Sequence, residues 1–172
     1  MNYIRKATTK DVEKIMEITE AGRSYLVEQG LPQWQDGDGP NRGLIDGHIK
    51  AGQGYVFMCE GAVRGYGTLI TGVDPVYTAI SGGTWEEVYD EYISIHSVAL
   101  DPSIRGKGLA KDFLHRLVMA AGVLGYYDIR IDTYPRNAIM DKAILNTGFV
   151  YRGDIEFDFP NGERRAYQLL LI

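Results

Sequence analysis

Two hydrophobic periods alternate along the chain, and their switch points divide it into eleven elements. Tyr3-Ile4-Arg5-Lys6 is a short first strand. Val12, Ile15, Met16, Ile18 and Thr19 then fall on one helical face, with Thr8 or Thr9 as cap and Gly30 as stop. Residues 30–41 (GLPQWQDGDGPN) read as loop, and Leu44–Lys50 as a short helix. Tyr55–Glu60 and Val63–Thr71 are strands joined by the turn Glu60-Gly61-Ala62. After a long connection, Ile93, Ile95, Val98 and Leu100 mark a further strand. Leu109, Phe113, Leu114, Leu117, Val118 and Ala121 mark a helix ending at Gly125. Ile129–Thr133 alternates as a strand, residues 137–146 are helical with Ile139, Ala143 and Ile144 facing in, and Phe149–Phe157 and Arg165–Leu171 form a closing hairpin. The order β α α β β β α β α β β predicts an α/β (α+β) fold, one sheet with helices on both faces.

The stretch Ile93–Lys111 (ISIHSVALDPSIRGKGLAK) carries the clearest chemistry. A strand runs into a turn at Asp101-Pro102-Ser103, then Arg105-Gly106-Lys107-Gly108-Leu109-Ala110 opens a helix. Glycines let backbone N–H groups approach an anion, the first helical N–H groups lack partners, and the helix dipole favours negative charge there. The glycine spacing fits neither a Rossmann fingerprint nor a GxxxxGK[ST] loop.

Composition narrows the setting. The chain has 172 residues, 45% hydrophobic and 24% charged, a length that predicts a single domain. Net charge is −5, which disfavours nucleic acid as a partner. No run approaches the roughly 20 apolar residues of a membrane span, and no secretory leader is recognised at the N-terminus. One cysteine, Cys59, lies in the apolar run YVFMC and reads as packing. A cytoplasmic location follows, and no metal is expected.

The loop and its context resemble the GCN5-related N-acetyltransferase (GNAT) superfamily. Its signature is Arg or Gln, two residues, Gly, one residue, then Gly or Ala. Here that signature falls on Arg105-Gly106-Lys107-Gly108-Leu109-Ala110 between a strand and a helix. Asn137-Ala138-Ile139-Met140 followed by Gly148-Phe149 is similar to the family's later helix and strand, and the element order agrees over essentially the whole chain.

The resemblance implies a mostly antiparallel twisted sheet whose strands splay at a coenzyme A site. It implies acetyl-CoA as co-substrate, with the N–H groups of Gly106, Lys107, Gly108, Leu109, Ala110 and Lys111 holding the pyrophosphate and Arg105 and Lys107 adding charge. Val98, Ala99 and Leu100 would splay at a bulge and pair with the pantetheine arm, which Asn137 would contact. An N–H there, that of Leu100, would polarise the thioester carbonyl. A homodimer through the last two strands is one assembly the resemblance allows.

Amine acetylation also needs a base, and His96 on the central strand is the leading candidate, with a satisfied core histidine as the competing reading. Glu91 and Glu86 are rivals acting through water. His48 and His115 read as surface residues. The family's tyrosine acid has no counterpart in the helix 137–147, leaving Tyr134 as an alternative outside it. Residues 84–92, with Trp85, Glu86, Glu87, Asp90, Glu91 and Tyr92, read either as an acidic, aromatic rim attracting an ammonium or as a solvated cap. Trp34 either lines a pocket or plugs a core edge. The expected activity is acetyl transfer to a primary amine of a small cation, amino-acid derivative or peptide; a CoA-binding sensor without turnover is the alternative.

Overall fold

A computed structural model describes residues 1–172. Seven strands form one sheet: β1 (Tyr3–Lys6), β2 (Gly54–Cys59), β3 (Ala62–Thr71), β4 (Ile93–Leu100), β5 (Asp128–Thr133), β6 (Val150–Glu156) and β7 (Glu163–Leu170). Their spatial order is β1-β2-β3-β4-β5-β7-β6, antiparallel throughout except for β4–β5. The helices are α1 (Val12–Glu28), α2 (Arg42–Lys50), α3 (Leu109–Val123) and α4 (Ala138–Thr147). The element order matches the hydrophobic pattern.

Strand β2 shows why helices cover both faces. All six of its residues are buried. Tyr55, Phe57 and Cys59 join the main core with Phe113, Leu117 and Val118 of α3, whereas Val56 and Met58 face the other way, toward Ile15 of α1 and Ile45 of α2. The period-2 alternation of a strand thus feeds two cores. Asn41 sets the start of α2 by accepting from the N–H of Leu44 at 2.9 Å, two residues before the expected boundary. A 3₁₀ turn over Thr9–Asp11 displaces the start of α1 to Val12.

The connection 73–92 is a strap across the sheet. Trp85 is buried, donates its indole N–H to the Tyr77 carbonyl at 2.8 Å, and packs with Tyr77, Ile155 and Ala166. The Arg130 guanidinium lies between the Trp85 and Tyr92 rings, 4.3 and 3.9 Å from their centroids, and pairs with Asp128 at 2.8 Å. Gln168 holds the strap by bonding both the N–H and the carbonyl of Glu86. Glu86, Glu87, Asp90 and Glu91 point to solvent. No helix is long and apolar enough to cross a membrane.

Two features of β4 open the site. Its parallel pairing with β5 covers only Ile93–Ile95 against Ile129–Ile131. Past Ile95 the strands part. Ser97 has φ +57°, in the left-handed region, and the β3–β4 register shifts opposite it, between Tyr66 and Thr68. This bulge turns β4 away from β5. The Thr68 hydroxyl donates to the His96 carbonyl at 3.0 Å where the ladder is interrupted.

Candidate active site

The gap between the diverging strands is a cavity of about 750 Å³. One side is the end of β4, the loop after it and the start of α3; the other is β5, α4 and the hairpin β6–β7. The loop 31–41 and α1 supply a further wall through Tyr25, Gln33, Trp34 and Asp38.

At one end, the N–H groups of Gly106, Lys107 and Gly108 donate to no protein acceptor. Gly106 and Gly108 have φ of +76° and +71°, which only glycine adopts without strain. Gly108 is the N-cap of α3, so these donors and the free first-turn N–H groups share one anion-ready concavity. Arg105 is fixed rather than free: it stacks on Tyr25 at 4.2 Å and donates to the Ala21 carbonyl at 3.2 Å. Lys107 is exposed. Along the wall, Asp101 donates its N–H to Arg64 at 2.8 Å, next to the Gly65–Leu100 pair. Antiparallel alternation therefore turns the N–H and carbonyl of Leu100 away from β3, into the gap.

At the other end, His96 Nε2 lies 3.2 Å from Asp74 Oδ2 and Nδ1 lies 4.0 Å from Asp132 Oδ2. Burial pulls the His96 pKa down, but the Asp74 hydrogen bond and the charges of Asp132 and Asp74 outweigh it, so the net shift is upward. Hydrogen bonding to His96 holds the Asp74 carboxyl below its ordinary range. Burial lifts that of Asp132, which accepts from the Tyr77 hydroxyl at 2.7 Å. Burial lowers His48, and the nearby His96 charge lowers it further.

The expected residues divide as follows. His96, Val98, Ala99, Leu100, Arg105, Gly106, Gly108, Leu109, Ala110, Lys111 and Asn137 line the cavity. Asn137 caps α4 by accepting from Met140 at 3.2 Å and donates to Gln33 at 3.0 Å, which ties the loop 31–41 to α4. Trp34 lines the cavity. Three placements differ from the sequence reading. Glu91 lies with Tyr89, Asp90, Gly125 and Tyr127 around a separate depression, and none of residues 84–92 reaches the cavity, so the acidic rim is a cap elsewhere. Tyr134 is buried outside the cavity, its hydroxyl 3.1 Å from Glu163 Oε1. Ile139, expected in the core, is 58% exposed and lines the cavity.

Asp74, Asp132 and Arg164 carried no sequence signal at all. Asp74 stands 22 residues before His96 and Arg164 stands 32 after Asp132, and only the fold joins them. Arg164 is 6% exposed, and Phe157 and Phe159 line the same end.

Neither a protein-family model nor a curated relative matches the chain. Among solved structures, a GNAT-family acetyltransferase from Streptococcus agalactiae superposes with a TM-score of 0.89 at 32% identity, covering 99% of this chain and 96% of the other. A GNAT-family acetyltransferase from Listeria monocytogenes gives 0.76 at 23% identity, covering 99% and 95%. An aminoglycoside acetyltransferase in complex with coenzyme A gives 0.68 at 22% identity, covering 99% and 95%. The latter two likenesses concern the fold alone.

Proposed function

Because the chain belongs to the GNAT family of acetyltransferases, we propose that it transfers an acetyl group from acetyl-CoA to a primary amine presented at the His96 end of the cavity. The observation that carries this reading is one continuous cleft with an unpaired N–H cradle at one end and a His96–Asp74–Asp132 cluster at the other.

The residues fit the co-substrate. The donors of residues 106–108 and the start of α3 would hold its pyrophosphate, and Arg105, locked on Tyr25, adds charge in a fixed place. Leu100 offers an N–H and a carbonyl to the pantetheine arm, with Ile139, Met140 and Ala143 as the apolar wall across the gap. Acetyl-CoA supplies an activated acetyl thioester.

His96 would act as the base. An ionised Asp74 can only accept, so the Nε2 proton of His96 is directed to it, which leaves the Nδ1 lone pair for the amine in the neutral imidazole. The cavity walls orient the amine against the thioester carbon, a reach of about 3–3.5 Å for productive attack. No tyrosine of α4 is present to donate a proton to the departing thiolate, and Tyr134 is engaged with Glu163, so water takes that role.

Release of free CoA thiol from acetyl-CoA, measured across a panel of primary amines, tests the proposal. Turnover with at least one amine is expected, and Gly108→Glu should abolish it by placing a carboxylate in the anion cradle. Tight coenzyme A binding with no turnover on the whole panel would overturn it in favour of a sensor.

A further inference from the structure

Arg164 is the one buried cation at the acceptor end, and its donors are unevenly used. Its Nη1 donates to two backbone carbonyls, those of Asn161 and Glu163, both at 2.7 Å. These bonds fix the guanidinium plane. Its Nε and Nη2 donate no hydrogen bond within the protein: the nearest carboxylates are Asp132 Oδ1 at 3.9 Å from Nε and Asp38 Oδ2 at 3.7 Å from Nη2. Those distances stabilise the charge but are too long for hydrogen bonds. The Nε–Nη2 edge is the fork that matches a carboxylate with two parallel N–H···O bonds. Arg164 lines the cavity, so a ligand there can take up the two donors that the protein leaves without a hydrogen bond.

We infer that the Nε–Nη2 edge of Arg164 is a carboxylate subsite and that the acceptor is a short carboxylated amine of the α-amino-acid class. The inference rests on the acetyl-transfer reading for its amine end and adds the opposite end of the substrate. One carboxylate, Asp132, stands between the two: Oδ2 is 4.0 Å from His96 Nδ1 and Oδ1 is 3.9 Å from Arg164 Nε. An amine at His96 and a carboxylate on Arg164 must therefore be joined through few bonds. A polyamine or a long peptide does not satisfy both ends. Phe157 and Phe159 each lie 5.7 Å from the Arg164 guanidinium and line the cavity, so the acceptor's side chain meets aromatic walls.

The test compares the protein L-amino acids with their α-carboxamides and with the corresponding decarboxylated amines, by thiol release. At least one amino acid should exceed its own carboxamide by about tenfold or more in kcat/KM. Arg164→Met should bring that ratio close to one, and Arg164→Lys should keep part of it, while coenzyme A titration checks that each variant is folded. Carboxamides or decarboxylated amines matching their acids in the wild-type protein would overturn the inference and leave acetyl transfer standing. If no amine turns over, acetyl transfer falls. Calorimetric binding of the same amino acids to the coenzyme A complex then decides the subsite: binding lost in Arg164→Met supports it, and binding absent or unchanged overturns it.

Discussion

His96 sits between two carboxylates, and this fixes the sign of a pH dependence. As a base it must be neutral, and its pKa lies above the ordinary 6.5 because Asp74 and Asp132 together outweigh burial. Activity should therefore rise with pH through a midpoint above 6.5. Asp74→Asn removes a hydrogen bond and a charge that favour the imidazolium, so the midpoint should move to lower pH. His96→Ala should lower kcat by about 100-fold or more and flatten the ascending limb. Thiol release across about pH 5 to 9 measures all three, and an unshifted limb in Asp74→Asn would remove Asp74 from the positioning role. Of these groups only His96 was legible in the sequence. A histidine on a central strand stands out by type, whereas one aspartate among many does not.

At the scale of elements, local rules carried most of the fold. The strand and helix periods, the glycine loop and the hairpin at Glu60-Gly61 all follow from short-range chemistry, and Glu60 and Gly61 adopt the positive φ that such a turn requires. What local rules could not give was direction. Glu91 lies two residues before the start of β4 and five before His96, which at about 3.3 Å per residue of extended chain puts it up to about 16 Å away, at the far end from the splay. Trp85 and Tyr92 looked like recognition aromatics but clamp Arg130. Ile139 follows a core-like spacing on α4 yet faces the cavity, since a helix beside a cleft needs an apolar stripe there too.

Glycines separate local conformation from packing. A Cβ at Gly108 would meet nothing within 4 Å, so Gly108→Ala suffers only the left-handed φ, about 1 kcal/mol. A Cβ at Gly83 would run into the Arg152 carbonyl oxygen and dislodge the strap. Thermal denaturation should show a small loss for Gly108→Ala and a much larger one for Gly83→Ala. The reverse order would contradict both placements.

For the whole molecule, the cleft is also the weakest seam. Strands β1–β4 and β5–β7 are joined within the sheet by three paired positions of β4 and β5. Below them the halves are held by α3 against α4 and by the shared core of Ile93, Ile95, Ile129 and Ile131 with Phe113 and Leu117. A ligand lying in the gap would touch β4, the 105–108 loop and α4 at once, and so would bridge the two halves. Anything that binds the folded chain alone adds RT ln(1 + [L]/Kd), about 2.7 kcal/mol at a hundredfold excess over Kd. For a chain of 172 residues this corresponds to a rise in Tm of roughly 5–10 °C. Coenzyme A should produce that rise in the wild-type protein, and Gly108→Glu should show none at the same concentration. Hydrogen exchange should show the added protection on both sides of the seam, in residues 97–111 and 131–146, because the ligand links them. Protection confined to one side would mean that the cofactor rests on the loop without entering the splay, and the amine end would then lie too far from the thioester for transfer.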